Sequence, residues 1–524
     1  MSRPTPSYTT CTRSVVATTL VILLMTLAIL WTPVKCQDDE PITLINTDPM
    51  ASSSSLGNIP VLNSQSDQQA IEISKSATQF ASQLMNQLVT DSINDHFRNM
   101  MFSPISLSQT LSILLQAASE ESNELGLQKK QELNTLLNKI GIGNLNKILQ
   151  GIESSYSPMA TTDTSSEFST TKLVLTHALF ASEEFIEKTP FKSLSSVSSF
   201  HVKRVNFSNV EAARTFINTF ISEKNSETTS PLIGTGFLRN STQAIFADTA
   251  FYFGPWEKPF DLNQTTIDFF RTISPNDEDV VENVEVDMMN MMDTVEEYGE
   301  FRNFHWISKK YRSQDFAMIF AVTKDRVSLH GDAEERFNRF ITRKLNSGCL
   351  SCAFPTSPQS LKRVSIPKFR IESKVKLSSF LKEKPFSLPS LFPKKVKAPK
   401  KPKTTNSTEA ATTPATTTDT TTTTPTDAAT TTTEAVTTPT AAVESSPEPV
   451  KPSGWVLDEI FHKCIMEISE LGTVEGELTP DTATTNEVKE NDGDKTFVLD
   501  RPFSMILHHL PTNTPVFVAK VAVL

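Results

Sequence analysis

Apolar positions along this chain change period several times, and each change marks an element. From Ile73 the spacing is helical, with Ile73, Ala77, Phe80, Ala81, Leu84 and Leu88 on one face. A second helix is expected from Ser103-Pro104-Ile105-Ser106, where Ser103 can cap and Pro104 suits the first helical position. Helical patterns recur from Ala212 to Ile221 and from Glu334 to Leu345. Strand-like runs alternate with them, from Leu173 to Phe180, Ala244 to Phe253, Phe316 to Val322 and Ser365 to Phe369. Near the end a strand-like run from Phe461 to Ile468 leads to Glu470-Leu471-Gly472-Thr473, then a long polar stretch. An apolar block resumes at Phe497 to Phe503. Mixed helices and strands that finish in a strand-rich C-terminus predict an α+β domain with large sheets.

Three stretches lack this patterning. Arg3 and Arg13 precede an apolar run from Val15 to Trp31, and Val34-Lys35-Cys36 puts small residues at −3 and −1 before Gln37-Asp38-Asp39-Glu40. Residues 1–36 therefore read as a cleaved signal peptide and the protein as secreted. A retained anchor is the alternative, because about 17 apolar residues reach the lower limit for spanning a bilayer. Residues 37–66 are rich in Ser, Asp, Asn and Gln and read as a disordered tail. The third stretch, 394–452, interrupts the domain that spans 67–524. It opens with Lys394, Lys395, Lys397, Lys400, Lys401 and Lys403 among prolines, and continues as Thr, Ala, Pro and Ser. Nothing apolar there can offset the entropy of ordering, so it reads as a mucin-like, O-glycosylated insert. The six lysines would suit a glycosaminoglycan; a solvated linker is the plainer reading.

Charge and cysteine usage narrow the class. The 524 residues carry a formal net charge of −11, which gives nucleic acid no electrostatic footprint. Sequons at Asn206, Asn240, Asn263 and Asn406 fit a secreted glycoprotein. Three cysteines would follow the signal peptide. Cys349 and Cys352 predict a small disulfide loop; a zinc half-site is the sharper reading, but no second pair stands at ligand spacing. Cys464, inside an apolar strand, reads as a buried free thiol. No motif calls for a cofactor or a metal, and the expected state is a monomer.

Several blocks, in one order, resemble landmarks of the serpins. Asn99-Met100-Met101-Phe102-Ser103-Pro104-Ile105-Ser106 resembles the family's Asn-x-x-x-Ser-Pro-x-Ser helix entry. Phe246 to Trp256, continued by Glu257-Lys258-Pro259-Phe260, resembles the strand ending in Gly-x-Trp. Val286-Asp287-Met288-Met289, Ser365-Ile366-Pro367-Lys368-Phe369, Pro502-Phe503 and Phe517 to Val521 resemble later elements. The resemblance implies a serpin-like fold with an exposed reactive-centre loop after a Gly472-Thr473 hinge. It implies no enzymatic activity, and a serine protease, met outside the cell, as partner. It also implies that Ser103, Asp248 and His462 cluster beneath the main sheet in the zone called the shutter. Asp248 stands where the family usually has Asn; a carboxylate can pair with an imidazolium, an amide cannot. A Ser-His-Asp hydrolase is set aside, since Ser103 would sit at a buried helix start without a nucleophile elbow.

The hinge content bears on mechanism. Serpin inhibitors trap a protease when the cut loop inserts as a new strand. Alternate residues of that strand enter the core. If Thr473 faces inward, so do Glu475, Glu477 and Thr479, and Pro480 then lacks a ladder donor. Counting from Gly472 with the family's spacing places the scissile bond at Asn486-Glu487. Protease inhibition is the family default; two glutamates in the hinge point instead to weak or no trapping, a non-inhibitory binding serpin. An active inhibitor is the alternative, and a mucin-like surface or matrix glycoprotein on a serpin scaffold is the second.

Overall fold

The computed structural model describes residues 65–91, 99–140, 149, 152, 171–196, 200–225, 230–274, 277–324, 332–393, 454–473 and 495–524. They fall in one compact unit, Leu62–Leu524; a separate unit, Met1–Val61, lies outside the described residues. Helix α1 (Gln65–Asp91) starts two residues inside the stretch expected to be tail. Strand β1 (Met100–Phe102) leads to α2 (Pro104–Ser119), whose first turn is closed by the Ser103 hydroxyl accepting from the Ser106 N–H at 3.3 Å. Helix α3 (Glu124–Ile140) follows. Strands β2 (Lys172–Ala181) and β3 (Phe200–Arg204) flank a short helix, α4 (Glu183–Lys188). Helix α5 (Val210–Asn225) precedes β4 (Ala244–Pro255), a strand apolar on both faces, as a central position requires.

Strands β5 (Thr266–Ser274), β6 (Asp277–Phe301), β7 (Phe304–Lys310) and β8 (Phe316–Thr323) then form a meander. Helices α6 (Asp332–Leu345) and α7 (Leu350–Ala353) lead to β9 (Ser357–Pro367) and β10 (Phe369–Lys376). The single strand expected from Ser365 to Phe369 is thus a crossing between two sheets. Pro367 has no N–H to extend a ladder, and the Lys368 N–H turns to the Asp287 carbonyl at 2.8 Å. A short helix, α8 (Ser378–Lys382), precedes the low-complexity segment. Strands β11 (Glu459–Ile468), β12 (Gly472–Thr473), β13 (Thr496–Val498), β14 (Phe503–His509) and β15 (Thr514–Val521) complete the domain.

One sheet runs β1-β15-β14-β8-β7-β6-β9-β13, with β5 added on β6; the other runs β10-β11-β12-β4-β2-β3. Between them lies an apolar interior that includes Met101, Ala250, Tyr252, Trp256, Phe320, Met466 and Phe503. The outer face of the second sheet is covered by α5, through Ala213, Ile217 and Phe220 on Phe180, Ile245 and Phe461. Both ends of the low-complexity segment are held. The Leu457 N–H donates to the Leu391 carbonyl at 2.8 Å. Trp455 is buried, with the Lys129 ammonium 3.8 Å from its ring centroid and its backbone N–H donating to the Glu121 carboxylate at 3.2 Å.

Candidate functional site

Strand β11 lies directly on β4, in parallel, from Glu459 opposite Ile245 to Ile465 opposite Phe251. Above that point the two strands part. Gly472–Thr473 enters the gap as β12, antiparallel to both, with Thr473 opposite Gly254 on one side and Ile468 on the other. The reversal is tight: the Ser469 N–H donates to the Gly472 carbonyl at 2.9 Å. Gly472 has φ +152°, and a Cβ there would lie 2.2 Å from the Gly254 carbonyl oxygen, so only glycine fits.

Thr473 is buried, and its Oγ1 is 2.6 Å from the Tyr311 hydroxyl. Burial pushes the Tyr311 phenol well above its usual pKa, so the hydroxyl keeps its proton. Tyr311 stacks on Trp256 with centroids 4.4 Å apart. The Trp256 ring N–H donates to the Ser469 carbonyl at 3.0 Å, and its backbone N–H to the Leu471 carbonyl at 2.9 Å. Glu470, 5% exposed, accepts from the Thr265 hydroxyl at 2.9 Å and faces the Lys368 ammonium at 3.7 Å. The mouth of the gap is therefore a polar clasp around the hinge.

A second buried polar group lies lower on the same seam, where His462 and Asp248 are register partners. Asp248, His462, His177, Ser103, Ser106 and Cys464 are all fully buried. Asp248 accepts from His462 Nδ1 at 2.9 Å and from the Ser106 hydroxyl, and His177 Nδ1 stands 3.4 Å away. Burial would raise the Asp248 pKa; the two histidines and Ser106 outweigh it and hold the carboxyl below its usual range. Burial opposes charge on His462 while the carboxylate favours it. Cys464 and the carboxylate outweigh burial and push the His462 pKa up to about 10, and the Ser103 N–H faces Nε2 from 3.0 Å. Cys464 Sγ is 3.1 Å from the same nitrogen, and burial raises its pKa so that it stays a thiol donor. His462 is thus held at both ends, by Asp248 at Nδ1 and by Ser103 and Cys464 at Nε2. Thr110 and Gln109 complete the set around His177, at 3.1 and 2.9 Å. Nothing in this sealed centre can reach a substrate, so the three residue types Ser, His and Asp act here as a structural pin.

Comparison with known proteins settles the family. A family model described as "Serpin (serine protease inhibitor)" matches residues 75–396 and 432–523. This chain is a serpin. An uncharacterized serpin-like protein of Methanosarcina acetivorans is 22% identical over 315 residues, covering 60% of this chain and 67% of its own length. The chain spans 46 to 67% of the length of the Methanosarcina relatives it matches. Human Serpin B11 is 22% identical over 461 residues, 86% of this chain and 99% of its own. Among solved structures, Serpin48 of the insect Tenebrio molitor covers 88% of this chain and 100% of its own at a TM-score of 0.58 and 16% identity, a likeness of fold.

The remaining residues singled out from the sequence fall as follows. In this serpin Ser103, Asp248 and His462 meet in one network, and Gly472 and Thr473 sit in the sheet. Glu475, Glu477, Asn486, Glu487, Asn406 and the six lysines from Lys394 to Lys403 lie outside the described residues. Asn206, Asn240 and Asn263 are exposed. Cys349 and Cys352 are joined by a disulfide, and Cys464 is free. Sequence reasoning missed His177, Ser106, Tyr311, Lys368 and Glu470. His177 had a signal, as the lone basic residue in the apolar run Leu173 to Phe180.

Proposed function

We propose that this serpin is a secreted, non-inhibitory or weakly trapping binding protein. The observation that carries the reading is the register of β12. Each further two-residue step along the loop moves two residues back along β4 and β11. Insertion would set Glu475 between Tyr252 and Met466, Glu477 between Ala250 and Cys464, and Thr479 between Asp248 and His462. Tyr252, Ala250, Cys464 and Met466 belong to the apolar interior between the sheets. Two carboxylates driven into it would each cost several kcal/mol or take up a proton. Insertion would stall, and the attacking protease would finish hydrolysis and leave. The Cys349–Cys352 disulfide and exposed Asn206, Asn240 and Asn263 support a place outside the cell.

Titration of the full chain against trypsin-, chymotrypsin- and elastase-like proteases tests this. The expected result is a cleaved loop and a released, active protease. A complex that survives SDS, formed near one serpin per protease, would overturn it. A trapping inhibitor is the second reading. It is favoured by Thr479, whose hydroxyl would replace the seam contact between Asp248 and His462 as the strands separate.

A further inference from the structure

Away from the hinge, α6 carries an unusual face. Arg336, Phe340, Arg343 and Lys344 recur at helical spacing, while Phe337 and Ile341 on the other side are buried and anchor the helix. The basic face and the β6–β7 turn enclose an open groove of about 690 Å³ lined also by Phe301, Phe304 and Arg339. That volume lies in the range of small-molecule sites. Its floor is aromatic: Phe304 stacks on Phe340 at 4.1 Å, and Phe301 stays 49% exposed at the rim. The Lys344 ammonium lies 5.5 Å from the Phe301 ring and 5.4 Å from the Phe340 ring.

The charges in this groove are poorly balanced. Arg339 pairs with Glu335 at 2.6 Å. Among the described residues, Arg336, Arg343 and Lys344 have no carboxylate partner. Burial lowers the Lys344 pKa, the sign of an ammonium that lacks compensation. Cations held together over apolar rings repel one another and attract an anion whose body can cover those rings. A merely solvated charged face would not need half-exposed Phe301 between its cations. Arg336 and Arg343 stand two turns apart, about 10 Å along the axis, with Phe340 between them.

We propose that this groove binds a small amphipathic anion. Its apolar body would lie on Phe301 and Phe340, and a carboxylate or sulfonate-type oxyanion would be gripped by Arg336, Arg343 and Lys344. Guanidinium groups suit such oxyanions because they bind two oxygens at once. The site is independent of loop insertion.

The probe is 8-anilinonaphthalene-1-sulfonate, titrated into the full chain by fluorescence. One saturable site is expected. R336E/R343E should weaken it at least tenfold, as should F301A, with the melting temperature held within a few degrees. K188E/K192E, a charge change of the same size on exposed α4 and the turn after it, should leave it within twofold. Sodium laurate should displace the probe, whereas sodium sulfate at equal ionic strength should not. Unchanged binding in R336E/R343E would overturn the assignment. So would equal displacement by sulfate and laurate, or full binding in F301A, since each would mark a plain anion patch. Should the double variant unfold, R343Q alone gives the same reading, with at least threefold weaker binding expected and none overturning the proposal.

Discussion

Replacing Glu475 and Glu477 with alanine should turn this serpin into a trap. On insertion, the register of β12 would send both carboxylates toward the interior lined by Tyr252, Ala250, Cys464 and Met466. At pH 7, entering there as the neutral acid costs each glutamate about 3.7 kcal/mol from an ordinary pKa near 4.3. If only Glu475 must enter before insertion becomes irreversible, that alone slows the step about 500-fold. If both must enter, the barrier rises by about 7 kcal/mol. The sign with pH follows. The carboxylate pKa is raised in the inserted state, so the cost is absent below about pH 4.3 and grows as pH rises. Acidifying from pH 7 to 5.5 should recover about 2 kcal/mol per glutamate, about thirtyfold in rate. The assay is the number of serpins consumed per protease trapped, for wild type and E475A/E477A, at both pH values. The wild type should consume many at pH 7 and fewer at 5.5, and the variant few at both. Equal, near-stoichiometric trapping by both proteins at pH 7 would refute the reasoning.

Gly472→Ala places a Cβ 2.2 Å from the Gly254 carbonyl at φ +152°, so the hinge should leave the gap at a cost of about 1–3 kcal/mol, read as a lower melting temperature and faster loop proteolysis. Asp248→Ala strips His462 and Ser106 of their common acceptor, and should destabilise the native state by about 3–5 kcal/mol in denaturant titration. Burial lowers the pKa of His305, of His508 and of His509 to about 4 each. These rings bind protons less readily folded than unfolded, so stability should fall as pH drops from about 6.5 toward 4. His508→Gln should flatten that slope in a melting-temperature series.

The helices and most strands were legible because their apolar periods are strong, as in α1 and in the doubly buried β4. The crossing at Pro367-Lys368 was not, since one short apolar run served the ends of two strands in different sheets. Gly472 and Thr473 could be found as a Gly-Thr pair between two apolar blocks. Their clasp could not, because Tyr311, Trp256 and Lys368 are brought to them from three distant strands and no local pattern links them. The second partner of His462 was out of reach for the same reason: it is the backbone N–H of Ser103, 359 residues away.

Strand β11 is held at both ends in the folded chain. At its start, the Leu391–Leu457 hydrogen bond and buried Trp455 clamp the two ends of the Thr-rich segment together. At its finish, the Ser469 reversal feeds the hinge into the gap. Ten residues of strand keep these points about 30 Å apart. Tension on the Thr-rich segment is therefore borne by its own clamp, as load on a ring is borne by the clasp. The serpin thus offers two handles on one strand, one at the clamp and one at the hinge.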